Sequence, residues 1–218
     1  MDDLVACIDA PRLNELEIIF FHDIVFDTPQ LARFISHTPK SKALKNAYIT
    51  LLNHVARVNF SSQTSRYGNF YVETLCRGLD WQVSSLEQVC TSCLSPLFVL
   101  EDLYFHEDSD SQDWKDSVEN GLNGQWLDLF RPFIAVKNLY LSENLASRIA
   151  PSLQELVEGR TTDVLPALQN IFLKGLESSG SVQDSESIRK LVAARQAANH
   201  PIAISPWFDP EESEVKGD

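Results

Sequence analysis

Cys90 and Cys93 are the first residues of this 218-residue chain whose type and spacing could do chemistry. A CxxC pair can cycle between dithiol and disulfide, or supply half of a structural zinc site. Zinc would want two further ligands at matching spacing, and Cys76 with His106 is the nearest completion the sequence offers. However, Leu86, Val89, Cys90 and Cys93 fall at i, i+3, i+4 and i+7, the stripe of one helix face. Ser85 with Gln88 makes a capping-box pattern that would start such a helix. The spacing therefore predicts a buried helix face on which both cysteines are core thiols.

A second candidate is the acidic run Glu107, Asp108, Asp110 and Asp113. Counted from Asp108, Glu119 falls where a calcium loop places its bidentate carboxylate. The turn position holds Asp113 where such a loop needs Gly, and the hydrophobic anchor position holds Lys115. The run reads as a solvated loop, with Asp110 or Asp113 capping the next helix. His22, His37, His54, His106 and His200 are scattered, and none lies beside both a Ser or Cys and an acid. The sequence has no GxSxG elbow, Walker loop, GxGxxG turn or HExxH helix. The expectation is no catalytic residue, no metal and no cofactor. An unrecognised enzyme is the alternative of another class, to be revealed by a cleft of clustered, shifted titratable groups.

Composition narrows the partners. Lys and Arg number 18 against 31 Asp and Glu, a formal charge of -13, which repels nucleic-acid backbones and anionic membranes. Lys40, Lys42 and Lys45 are the densest basic cluster. With 44% hydrophobic and 22% charged residues the chain reads as globular. The opening MDDLVACIDAPRLN is acidic where a signal peptide is basic, and no apolar run approaches the roughly 18 residues of a membrane helix. The expected location is intracellular, cytoplasmic or nuclear, with Cys7, Cys76, Cys90 and Cys93 reduced.

The elements that would position any site come from a repeated phrase, apolar-x-x-apolar-x-apolar. Its copies are Leu13-Leu16-Ile18, Val55-Val58-Phe60, Leu100-Leu103-Phe105, Val136-Leu139-Leu141 and Leu168-Ile171-Leu173. The last two anchors of each alternate with outward positions, the period of a half-buried strand. Helical stripes lie between them. One follows Thr28 as N-cap; another runs from Trp114 and Val118, past Gly121 and Gly124, to Trp126, Leu129 and Phe130; a third carries Leu145, Ile149, Leu153 and Val157 with a kink at Pro151; the last carries Ile188, Leu191 and Val192. That helix is expected to stop at His200-Pro201, ahead of a short strand at Ile202 to Ile204. Phe70 and Val72 suggest an extra strand, hairpinned to Phe60 through Arg66 to Asn69. Strands joined by helical crossovers pair in parallel. The expected fold is α/β, an irregular leucine-rich-repeat-like open solenoid with a parallel sheet on one side and helices on the other, spanning 1–204. An acidic tail, 205–218, follows, disordered at its end, with Trp207 and Phe208 covering the last unit.

The phrase also predicts a surface. If the anchors face the helices, the residue between the last two faces the other way, giving the column Glu17, Asn59, Tyr104, Tyr140 and Phe172. Consecutive aromatics on a solvated face suit a protein-binding site. Asp102, Asn138 and Asn170 would supply a polar rim on one side, and His106, Ser142 and Lys174 on the other. Two bland alternatives are cross-strand aromatic pairs that serve stability and a tail that folds over them.

Strand phrases alternating with helices resemble leucine-rich repeats, although their intervals of roughly 32 to 45 residues exceed that repeat's usual roughly 20 to 29. More specifically, LEDLY from Leu100, DWKD from Asp113, WLDLFRPFIAVKNLYLS from Trp126, LQELVEGRTTDVLPALQNIFL from Leu153 and HPIAIS from His200 resemble the carboxy-terminal leucine-rich-repeat-like region of fungal F-box-type proteins. IDAPRLNELEIIFF from Ile8 is similar too. The resemblance implies a non-enzymatic module that holds a protein for ubiquitin tagging. No F-box is read ahead of the first phrase, so docking to a cullin-ligase adaptor is not expected; a stand-alone relative without ligase function is the alternative.

Overall fold

A computed structural model describes residues 16–21, 44–61, 70–76, 78–92, 99–107, 123–142, 145–146, 148–149, 152–153, 164–174 and 186–207. The strands are β1 (Leu16–Phe21), β2 (Asn46–Leu52), β3 (Val55–Ser61), β4 (Phe70–Leu75), β5 (Asp102–Glu107), β6 (Asn138–Leu141), β7 (Asn170–Lys174) and β8 (Ala203–Trp207), with buried and half-buried residues alternating through β5, β6 and β7. Helical periodicity produces α1 (Leu79–Ser92), α2 (Asn123–Phe130) and α3 (Glu186–Ala197). The strands form one open sheet in the order β1-β4-β3-β2-β5-β6-β7-β8. It is mostly parallel: only the β2–β3 and β3–β4 pairs are antiparallel.

The anchors of the repeated phrase build the core. Leu103, Leu139 and Ile171 stand side by side on adjacent parallel strands and are fully buried. Behind them, the Phe105 ring meets Trp126 and Phe130 of α2 edge-on, with centroids 6.0 and 5.5 Å away. Leu86, Val89 and Cys90 of α1 and Ile188 and Leu191 of α3 join the same core. The helices thus take the anchor side of the sheet and leave the residues between anchors on the opposite face.

Entry into β5, β6 and β7 repeats one backbone device. The Lys45 carbonyl accepts the amides of Glu101 and Asp102; the Glu101 carbonyl accepts those of Lys137 and Asn138; the Lys137 carbonyl accepts those of Gln169 and Asn170. These paired bonds lock the strands at one register, so every unit starts its strand at the same height.

Several expectations are corrected. The copy Val55-Val58-Phe60 lies in β3, which is antiparallel to both neighbours. The parallel partner of β5 is instead β2, whose Leu44, Ala47 and Ile49 carry the same phrase with a small middle anchor. α1 begins at Leu79, six residues before the expected cap: its first bond runs from Gln82 N–H to the Gly78 carbonyl at 3.0 Å, which puts Ser85 inside the helix. Glu107 is not part of a solvated loop. It is buried at the end of β5, with the Arg148 guanidinium 3.6 Å from its carboxylate. The boundary at 204/205 cuts through β8, which runs on to Trp207. As expected, β4 pairs antiparallel with β3, and α3 ends before Pro201. There Asn199 takes the left-handed conformation (φ 63°) while His200 N–H bonds the Arg195 carbonyl at 2.8 Å, a C-terminal cap that needs a residue tolerant of positive φ. The helix expected after Thr28, the stretch through Trp114 and Val118, Pro151, Cys93, the loop from Asp108, the Arg66 to Asn69 turn and the chain beyond Trp207 lie outside the described residues.

Candidate functional site: an aromatic and amide face on the sheet

Parallel pairing in register brings like residues together. Tyr104 stands opposite Tyr140, and Tyr140 opposite Phe172. Their rings stack nearly parallel, with centroids 4.1 Å and 4.5 Å apart and interplanar angles of 11° and 10°. The ladder has a further ring: Tyr48 of β2 stacks on Tyr104 at 4.3 Å and 10°. Offset ring pairs of this kind contribute about 0.5–1.5 kcal/mol each beyond the area they bury. Tyr48 is buried, while Tyr104, Tyr140 and Phe172 are half-buried.

Next to the rings runs a second ladder. Asn138 Nδ2 donates to Asp102 Oδ1 at 2.7 Å, and Asn170 Nδ2 donates to Asn138 Oδ1 at 2.8 Å. The expected rim residues Asp102, Asn138 and Asn170 are therefore bonded to one another along the sheet, with Asn46 in register beside Asp102. The opposite rim is only partly realised. His106 and Lys174 are half-buried on this face, whereas Ser142 is buried beyond the end of β6. Its carbonyl accepts the Ala146 amide at the start of the helical residues there.

Trp207 closes over the ladder from β8. Its indole lies 5.6 Å from the Tyr140 ring and 5.9 Å from the Tyr104 ring, inclined by 66° and 56°. β8 is three strands from β5, a separation of about 14 Å at the usual strand spacing. The Trp207 side chain reaching back from β8 and the tyrosine rings between them bridge that separation. Lys174 Nζ sits 6.0 Å over the same indole, within cation–π range. Burial first, and then the neighbouring hydroxyls and the Asp102 carboxylate, push the Tyr104 phenol well above its ordinary value, and burial does the same to Tyr140. Both phenols stay neutral across the physiological range.

Across β3 and β4 the same face changes character. Asn59 follows Tyr48 in register and Tyr71 follows Asn59, with Glu17 at the far edge. Arg57 Nη2 bonds Glu73 Oε2 at 2.8 Å and its guanidinium lies 5.1 Å over the Tyr71 ring. Tyr71 also donates its hydroxyl to Glu73. Burial opposes the Glu73 charge, but the bonds from Tyr71 and Arg57 outweigh it and hold the carboxyl below its ordinary 4.5. Burial, and then the bond to Glu73, raise Tyr71 to about 12.

Of the column expected from the sequence, Tyr104, Tyr140 and Phe172 come together, Asn59 lies one strand beyond Tyr48, and Glu17 is at the sheet's edge. Tyr48, Asn46 and the Arg57–Glu73–Tyr71 cluster were not anticipated. The signal for Tyr48 was present, since it sits between Ala47 and Ile49 in a copy of the phrase. Cys76 and Cys90 are buried, and Cys76 Sγ lies 3.5 Å from Ser85 Oγ. Among the described residues no group of three or more His, Cys, Asp or Glu is placed to hold a metal ion, and no helix is long and apolar enough to cross a membrane. Comparison with known protein families, with curated proteins and with solved structures finds no match.

Proposed function

We propose that this chain is a non-enzymatic recognition module that holds a basic segment of another protein on the strand-side face of its sheet. The observation that carries the reading is the ladder of Tyr48, Tyr104, Tyr140 and Phe172, stacked on the face away from the helices with its last three rings half-exposed. Fixed aromatics lose little entropy on binding and are typical anchors. The formal charge of -13 selects a basic partner and makes binding weaken with salt.

The repeated strand-entry device and the in-register parallel pairing of β2 and β5 to β8 support a leucine-rich-repeat-like open solenoid. With the resemblance to fungal F-box-type proteins, that favours the substrate-holding part of a ubiquitin-ligase receptor, or a relative that binds without ligase function. A purely structural ladder is the competing reading, favoured by Trp207 lying against two of the rings.

The test compares proteins that copurify with the parent and with a Tyr104→Ala, Tyr140→Ala, Phe172→Ala variant, with unfolding followed in parallel. A folded variant that loses basic partners supports the proposal. A folded variant that keeps every partner, or one that simply unfolds, returns the ladder to packing.

A further inference from the structure

Both ladders run out at the same strand, and the way they end defines a smaller site within the proposed binding face, on which this inference rests. Asp102 is acceptor-only when ionised, so Asn138 must turn its amide nitrogen toward it, as observed. Asn138 then has its carbonyl oxygen left for Asn170, which must in turn present its own nitrogen. One carboxylate thereby orients the whole row, and Asn170 Oδ1 is directed outward past β7. Its neighbour in register on β8 is Ala203, whose side chain has no donor to offer.

The ring ladder ends likewise. One face of Phe172 is covered by Tyr140. The other looks toward β8, where the residue in register is Ser205, too small to cover a phenyl ring. Ala203 is exposed, and Asn170, Phe172 and Ser205 are half-buried. Among the described residues, a π face that no second ring covers and an acceptor carbonyl thus flank a gap floored by two small residues and bounded at its other end by Lys174 and Trp207, which are in register with each other.

We propose that this gap is a slot for the guanidinium of an arginine on the bound partner, stacked on Phe172 and donating to Asn170 Oδ1. A guanidinium is flat enough to lie on the ring, has in-plane donors for the carbonyl and is weakly hydrated, which an ammonium is not. Lys174 directs its ammonium to the Trp207 indole, which itself lies against the Tyr140 and Tyr104 rings.

The experiment titrates the isotope-labelled full chain with short Gly/Ser peptides bearing Arg, Lys or citrulline at the same positions, read by amide NMR shifts. The expected result is shifts at Ala203, Ser205 and the Asn170 side-chain amide, with the Arg peptide binding about tenfold tighter than the citrulline peptide and several-fold tighter than the Lys peptide. Ser205→Phe adds the next ring of the ladder and should remove about tenfold of the Arg affinity while the fold is kept. Ala203→Asn, which extends the amide row, should do the same by satisfying Asn170, and serves should Ser205→Phe not fold. Equal binding of the three peptides, or unchanged Arg affinity in these variants, overturns the slot. If the peptides bind alike but lose binding in the Tyr104, Tyr140, Phe172 triple variant, the slot falls and the face stands. If no peptide binds and the triple variant keeps its copurifying partners, both fall.

Discussion

The two halves of the sheet are built from the same alternation yet present different chemistry on the open face. In the half made of β2 and β5 to β8, neighbours are parallel and enter at one height, so position for position the phrase lines up with itself: ring on ring, amide on amide. In the half made of β1, β4 and β3, β3 runs against both of its neighbours, while β1 runs parallel to β4 at the edge. Tyr48 then meets Asn59, which meets Tyr71, while Arg57 meets Glu73. Sequence repetition becomes a continuous surface only where strands run parallel. Reversal turns the same residues into a local ionic cluster.

The largest effect should come from the layer beneath the ladder. Leu139→Ala empties a fully buried position between Leu103 and Ile171 and should cost about 2–5 kcal/mol, measured by denaturant unfolding. A loss below about 1 kcal/mol would mean that the stacked rings, and not the anchors, hold the parallel half together. Next, Asn138→Asp sets a carboxylate against Asp102 in place of a donor. We expect a loss of roughly 1–3 kcal/mol at neutral pH, largely recovered in acid when one of the pair binds a proton. Equal stability at both pH values would break the claim that the amide row is oriented by Asp102. The smallest effect belongs to the antiparallel half. Glu73 has its carboxyl held below the ordinary 4.5, so its contribution is present above that pH and is lost as pH falls through the lowered value. Glu73→Gln should remove it, at about 1 kcal/mol for a partly exposed ion pair, and flatten that part of the acid unfolding profile. Tyr71 runs the opposite way: its phenol is raised to about 12, so its contribution holds below its ordinary 10.0 and fades as pH rises through 12.

Much of the parallel half was legible because its copies share one phase. Once Leu103, Leu139 and Ile171 are aligned, Tyr104, Tyr140 and Phe172 must align too. Tyr48 escaped because Ala47 is a weak anchor and the stronger Val55-Val58-Phe60 lies a few residues on. No single strand pattern states the direction in which it pairs. The start of α1 was misplaced because a Gly cap such as Gly78 has no side-chain oxygen to announce it, whereas Ser85 and Gln88 mimic a cap in mid-helix. The Arg57–Glu73–Tyr71 cluster was invisible because its members are adjacent only through the β3–β4 pairing. Trp207 could be read as a cover, but not as one reaching the Tyr104 ring of β5, since that reach depends on the register of β8 and on the direction its side chain takes.

The order of the rings along the chain, Tyr48, Tyr104, Tyr140, Phe172, is also their order across the sheet. Synthesis therefore delivers the rings in the order in which the sheet stacks them, so a ladder that formed as the chain is made would grow in a single direction. At every stage its newest ring has an open face that the next strand is awaited to cover. At Ser205 the supply of rings stops, and the growing end of this nascent stack becomes a permanent feature of the finished molecule.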